Sequence, residues 1–262
     1  MATNQNILSF LNDEDEIKLG ERILDLAETV QERKDSRATH FLNPRDQKIA
    51  EKILSQIMKI NFKSWGGHPK AERERILIFP DFLFPEHQEV PLVCLNISGN
   101  FEYVNVDHSD FLGAILGLGI KRERVGDIFI YKDSAQIVTT PELEEEILLN
   151  LDRVNEVPVE VEIMRCEDIV FEESNRKEIK ATVASLRLDA VLSAGFGESR
   201  SRSKRAVQQG KVKLNWRQTS DPAAEIEIGD LISFSGRGRL KVAEDRGISN
   251  SGRKKLLLER IT

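Results

Sequence analysis

Apolar residues first recur at helical spacing. Ile17, Leu24, Ala27 and Val30 fall near one face of a stretch from about Glu16 to Glu32, which predicts an amphipathic helix. The next helix has a sharper start. Asn43 suits an N-cap, Pro44 stands at the first helical position where its missing N–H costs nothing, and Asp46 favours the positive helix end. Ile49, Ile53, Leu54 and Ile57 follow at the same period. Residues 1–74 therefore read as a helical N-terminal domain.

From about Arg75 the period changes to that of strands. Ile76 to Phe79 forms one short apolar run, and Val90 to Ile97, with Pro91 near its start, forms another. A helix from Asp110 to about Leu118 is expected, with Ser109 as its cap. Ile128 to Tyr131 and Ala135 to Val138 read as a hairpin turning at Lys132-Asp133-Ser134. Thr140-Pro141 opens a further helix, with Glu142, Glu144 and Glu145 at its positive end, and Val157 to Ile163 alternates as a half-buried strand should. The order β-α-β-β-α-β over residues 75–173 predicts a ferredoxin-like, RRM-like middle domain in an α+β chain. The charged stretch that follows reads as a linker, 174–183, ahead of a last domain over 184–262.

In that last domain Leu188, Val191 and Leu192 turn one face of a short helix inward, and Gly195-Phe196-Gly197 breaks it. Ser199 then caps a helix bearing Arg200, Arg202, Lys204 and Arg205, with Ala206 and Val207 as its buried side and Gly210 as its end. Lys211-Val212-Lys213-Leu214-Asn215 alternates, so both lysines are expected on the side that the helix makes positive. A turn at Gly229-Asp230 should join Ile226–Ile228 to Leu231–Phe234. Arg237-Gly238-Arg239 leads to a final strand pair around Leu240–Val242 and Leu256–Leu258. This is a cationic αα hook followed by a β-hairpin.

Charge changes the picture once it is split by region. The net charge is −6, but residues 174–262 hold 19 Lys/Arg against 10 Asp/Glu, while the rest of the chain holds 19 against 34. A basic end of this kind suits a polyanion, and the same cations occurring on helix and strands together favour nucleic acid over a merely solvated face. No segment reaches the roughly 18 consecutive apolar residues of a membrane span, and the N-terminus does not read as a signal or transit peptide. Cys94 and Cys166 stand far apart, the four histidines show no ligand spacing, and neither a disulfide, a metal site nor a cofactor is expected, which makes a reducing compartment the default.

These same residues resemble a known family. Arg187-Leu188-Asp189, Ser199 to Lys204, Gly210 to Asn215, Gly229-Asp230 and Arg237-Gly238-Arg239 together resemble the RNA-binding domain named after ribosomal small-subunit protein four. The resemblance implies a hook that grips structured RNA through Arg187, Arg200, Lys204 and Lys211, with Asp189 orienting an arginine. Ser199, Arg202, Arg205, Lys213, Asn215, Arg237 and Arg239 complete the expected interface. The family usually has glycine after the asparagine, where this chain has Trp216: either the turn differs, or Trp216 accepts a strained backbone to offer a ring for stacking. Phe41 to Pro44, Gly66 to Arg73 and His108 to Arg122 extend the resemblance to the YlmH-like family. Its cyanobacterial and plastid members carry the label of a photosystem II RNA-binding protein, which would put such a chain in a bacterial cytoplasm or chloroplast stroma. Other bacterial members act in ribosome quality control on large subunits that hold peptidyl-tRNA. The resemblance thus implies rRNA and tRNA as partners.

An enzyme is the competing reading. Arg187-Leu188-Asp189 is similar to the aspartate motif of pseudouridine synthases, but Ala190-Val191-Leu192-Ser193 continues a helix instead of the expected threonine and glycine. No methyltransferase loop or synthetase signature is present, and Gly113 to Gly119 lacks the strand before it and the G-K-[ST] after it that a phosphate loop needs. A non-catalytic RNA binder is therefore expected. Lys70, Arg73, Lys121 and Arg122 form a possible second RNA patch; interdomain hinge and solvated loop fit those segments equally. Phe129 and Tyr131 share a strand face but lack the RRM signature, so core packing is the better account of them.

Overall fold

In the computed structural model the chain divides into two compact units, Met1–Glu172 and Glu173–Thr262. The structure describes residues 4–261 except 103, 105, 132, 133, 172–175, 250 and 251. The expected turn at Lys132-Asp133 and the first two residues of the expected linker lie outside the described residues.

The first unit begins with α1 (Asn4–Ile7) and α2 (Glu14–Arg33), then β1 (Arg37–Ala38), α3 (Pro44–Leu54), β2 (Ile60–Trp65) and β3 (Arg75–Pro80). Both long helices start where local chemistry dictates. Asp13 accepts the N–H of Asp15, and Glu14, Asp15 and Glu16 crowd the positive end of α2. Asn43 accepts the N–H groups of Arg45 and Asp46. Ile23, Leu24, Ala27 and Val30 of α2 meet Ile49, Ala50, Ile53 and Leu54 of α3 over Ile76 and Ile78 of β3.

The N-terminal region is therefore not helical alone: β3 lies at the centre of a three-stranded antiparallel sheet, ordered β1-β3-β2. Ile76 to Phe79 belongs to this sheet and not to the ferredoxin-like domain. A short apolar run announces a strand without naming its partner. That partner, β2, reads Ile-Asn-Phe-Lys-Ser-Trp, too polar to signal itself.

The ferredoxin-like order starts at β4 (Val93–Gly99) and continues through α4 (His108–Gly117), β5 (Val125–Ile130), β6 (Ser134–Thr139), α5 (Glu144–Asn150), β7 (Arg153–Val154) and β8 (Val157–Met164). Its sheet runs β5-β6-β4-β8-β7 with all pairs antiparallel. Leu95, Ile97, Ile128, Ala135 and Ile137 turn one face toward Phe111 and Ile115 of α4 and Ile147 of α5. The cap of α4 is Asp107 rather than Ser109, because Asp107 and Asp110 exchange side-chain-to-backbone bonds in a capping box that Ser109 cannot make.

Cys94 and Cys166 are joined in a disulfide, with Cα atoms 5.3 Å apart, against the expectation of two isolated thiols. Strand register is the reason: Cys94 lies opposite Met164, and the chain bends back after it. Seventy-two residues of separation left nothing local to read.

The second unit is a six-stranded antiparallel sheet with two helices on one face. Its elements are β9 (Arg176–Val183), α6 (Leu188–Phe196), α7 (Arg200–Gln208), β10 (Val212–Leu214), β11 (Arg217–Gln218), β12 (Leu231–Phe234), β13 (Gly238–Ile248) and β14 (Lys254–Ile261), with strand order β11-β10-β12-β13-β14-β9. The expected linker is largely strand β9. Ile179, Ala181 and Val183 turn to the core while Glu178, Lys180 and Thr182 face away, and the outward charges mask the alternation. Ile226–Ile228 joins no ladder; β12 pairs instead with β10 and β13. Gly195 lets α6 approach β13, since a Cβ there would stand 2.2 Å from the Leu240 side chain.

Candidate nucleic-acid interface

The hook is α6 and α7 joined through Gly197, whose φ of 67° ends the first helix, and Ser199, whose hydroxyl accepts the N–H of Arg202 and starts the second. Ser203, Ala206 and Val207 go inward. Arg200 and Lys204 are then one turn apart on the exposed side, and Arg202, Arg205 and Gln209 form a neighbouring stripe.

Two buried carboxylates hold these cations in place. Asp189, with 5% of its side chain exposed, accepts from Arg187 Nε at 3.2 Å and from Arg200 Nη2 and Nε at 3.2 and 3.3 Å. Arg200 keeps 50% of its side chain exposed, so its cation is aimed but not hidden. Burial opposes ionisation of Asp189, yet the hydrogen bonds and charges of Arg187 and Arg200 outweigh it and hold the carboxyl below its ordinary value. Glu198, 4% exposed, pairs with Arg202 Nε at 2.8 Å and Arg237 Nη2 at 2.6 Å. Arg237 comes from the β12–β13 turn, so Glu198 locks that turn to the start of α7. Glu198 is not among the residues expected at the interface; its one signal in the sequence is the i, i+4 spacing to Arg202.

Arg202, Arg205, Lys211 and Arg237 line a cleft of about 340 Å³ with Ala206, Gln209, Phe234 and Ser235. Four cations converging on one small concavity can neutralise phosphate oxygens, with arginine offering planar, two-pronged donors.

Other expected residues fall elsewhere. Lys213 does not share the helix side: it stands in a cross-strand row with Ser233 and Arg239, on the face opposite Val212 and Leu214, which pack into the core beneath the helices. Strand alternation sent Val212 and Leu214 to the core, as expected, and that forces Lys213 to the far face. Asn215 is structural: its amide donates to Asp230 Oδ1, and its carbonyl oxygen accepts the N–H of Leu231. Trp216 takes the strained option, with φ at 64° beside Asn215 at 47° in a tight hairpin and its ring half-buried.

The proposed second patch divides. Arg73 donates to the carbonyls of Val125 and Phe41, and Arg122 to those of Val125 and Gly126, so both guanidiniums are clips between loop and strand. Lys121 is exposed, and Lys70 Nζ stands 4.6 Å over the ring of Phe171. Among the described residues no group of three His, Cys, Asp or Glu is arranged to hold a metal, and no helix is long and apolar enough to cross a membrane.

Comparison with known proteins covers most of the chain. Three family models match: "YlmH, N-terminal" over residues 14–83, "Putative RNA-binding domain in YlmH" over 85–168 and "S4 domain" over 186–232. A protein of Bacillus subtilis (strain 168), "Ribosome-associated protein quality control protein P2", is 30% identical over 246 residues, which is 94% of this chain and 95% of that protein. A solved structure, "Cell division protein ylmH from Streptococcus pneumoniae", matches with a TM-score of 0.52 and 23% identity over 61% of this chain and 98% of that one, a likeness of fold.

Proposed function

The chain belongs to the YlmH family, and from that premise we propose that it is a non-catalytic protein that grips structured RNA on the ribosome. The observation that carries this reading is the pair of buried carboxylates, Asp189 and Glu198, which pre-orient four arginines around α7 while leaving their charge in solvent. A rigid cation array of this kind selects the spacing of phosphates in a folded RNA and needs little ordering on binding. The printed name of the Bacillus relative supports a role in ribosome quality control. We take the site of action to be the cytoplasmic large subunit, with rRNA and tRNA as ligands of the hook. The photosystem II label attached to some members has no counterpart in the relatives named above and does not enter this reading.

An RNA-modifying enzyme is the competing reading, and the state of Asp189 favours binding over chemistry. A catalytic aspartate needs access to a base, whereas Asp189 is buried and engaged by two arginines. The test is crosslinking of bound RNA in cells followed by sequencing and nucleotide mass analysis. Enrichment of large-subunit rRNA and tRNA with unaltered masses is expected; a mass change on incubation of bound RNA with the pure protein would overturn the non-catalytic reading.

A further inference from the structure

The ferredoxin-like sheet has α4 and α5 on one face and a partly open face on the other. One end of the open face is closed where Val138, Cys94 and Met164 pack with Phe41 and Ile169. Beyond it, Phe129, Gln136, Asn96 and Glu162 form a cross-strand row that solvent reaches. RNA-recognition motifs stack bases on aromatic residues of the two central strands. Here the central strands β4 and β6 offer Asn96, Ser98, Ser134 and Gln136, and β8 adds Glu160 and Glu162, whose charge repels phosphate. Base stacking in the usual place is not available.

Aromatic surface is gathered instead at the β5 edge. His68 and Phe171 lie nearly parallel, centroids 5.2 Å apart at 10°, and Phe129 meets them edge-on at 5.9 and 6.1 Å. Lys70 Nζ stands over Phe171. The three rings are half-buried and Lys70 is exposed. Their supports are rigid. Asp127 accepts the backbone N–H groups of Glu72 and Arg73, and His68 Nδ1 accepts the N–H of Lys70, which sets the imidazole plane. Gln136 accepts from Val170 N–H and from the Tyr131 hydroxyl, and the Cys94–Cys166 disulfide ties down the start of the strap that carries Phe171.

Charge says what such a cluster can do. With 34 acidic residues against 19 basic before residue 174, this part of the chain does not attract phosphate at long range. A contact that works there must be nearly independent of charge, as ring stacking is. We propose that His68, Phe129 and Phe171, beside Lys70, form a second RNA contact that stacks one unpaired base, continuing the His68–Phe171 pair, while the hook holds paired RNA. The proposal rests on the RNA-binding reading above, and it assigns the base to residues at the β5 edge instead of the central strands.

The test compares two RNA stems of one sequence, one fully paired and one with a single bulged 2-aminopurine, each titrated with the full-length chain. The wild-type protein should bind the bulged stem more tightly and quench its fluorescence. Phe171→Ala and His68→Ala should each abolish the quenching and lose roughly five- to a hundredfold of the affinity for the bulged stem. Neither should alter affinity for the paired stem or the salt slope, since no counterion is released by stacking. Phe171→Trp should keep the quenching. Should Phe171→Ala fail to fold, His68→Ala decides together with a 4-thiouridine crosslink at the bulge, expected on residues 66–73 or 165–171. Crosslinks confined to 187–239, or a folded His68→Ala that binds and quenches as wild type does, overturn the proposal. Equal binding of both stems without quenching sinks this contact alone, whereas a wild-type chain that binds neither stem sinks the RNA-binding reading with it.

Discussion

Arginine does opposite work in the two units. In the first, Arg73, Arg75 and Arg122 turn inward and donate to backbone carbonyls: Arg75 to those of Thr39 and Pro91, Arg73 to those of Val125 and Phe41. In the second, Arg187, Arg200, Arg202 and Arg237 are anchored at one edge by buried carboxylates while 40–65% of each side chain stays exposed. The first set satisfies orphan acceptors of the loops; the second set is a loaded surface. A count of basic residues cannot separate these roles, because both sets look alike in composition and differ only in what the guanidinium meets.

Substitutions that remove the two kinds of arginine should break the comparison apart. The largest effect is expected for Arg75→Ala, which strands one buried and one half-buried carbonyl: a loss of about 3 kcal/mol in urea unfolding of the first unit, with RNA affinity kept in whatever fraction remains folded. Asp189→Asn comes next. It leaves two cations without their anchor and should cost the second unit about 1–3 kcal/mol, and it should also weaken RNA binding because Arg187 and Arg200 are no longer aimed. Arg200→Ala should lower RNA affinity roughly tenfold and reduce the log–log salt slope by about one, with stability changed little; unaltered affinity in the folded variant would remove Arg200 from the interface.

The pH response should separate the units further. Asp127 in the first unit is pushed up by burial, against the N–H bonds it accepts from Glu72 and Arg73, so its folded form takes up a proton before the unfolded chain does. Its contribution to stability therefore grows as pH falls from neutrality through the raised value. Asp189 is held down, so its contribution is full above the ordinary carboxylate value and is lost as pH falls through the lower folded one. Trp65 lies in the first unit and Trp216 in the second, and they are the chain's two tryptophans. Single-tryptophan variants would report each unit separately, and Asp127→Asn and Asp189→Asn should flatten the respective pH slopes in opposite senses.

The smallest expected effect is at Trp216, where glycine should relieve the left-handed backbone and raise stability by up to about 1 kcal/mol. If the ring also stacks on a base, the same variant will bind RNA more weakly while unfolding later. A variant that is more stable and binds equally well would leave Trp216 without a part in binding.

Features written within four residues of each other were legible from the outset. Asn43-Pro44, Ser199 and the Leu188, Val191, Leu192 stripe announced their helices, because a cap and an amphipathic face are local matters of hydrogen bonding and 3.6-residue spacing. The cationic hook was legible for the same reason. The ferredoxin-like order could be read, its first strand included, since Val90 to Ile97 overlaps β4; the domain's start could not, because Ile76 to Phe79 lies in β3, which pairs with β2 in the helical region's own sheet. Arg73 and Arg122 resembled RNA contacts until their carbonyl partners were seen, and Lys213 resembled a neighbour of α7 until the direction of β10 put it on the far face.

Local order along the chain already set the starts of α3 and α7, which end of the chain is basic, and which residue types could meet phosphate. Tertiary structure alone decided strand partnership, the Cys94–Cys166 bond, the two arginines gathered by Glu198, and the aromatic cluster built from residues 68, 129 and 171. Capping, turns and periodicity are energies between near neighbours along the chain, so they are visible as spacing. Pairing across a sheet and ion pairing in a closed cleft depend on distances that exist only after the chain has folded back on itself.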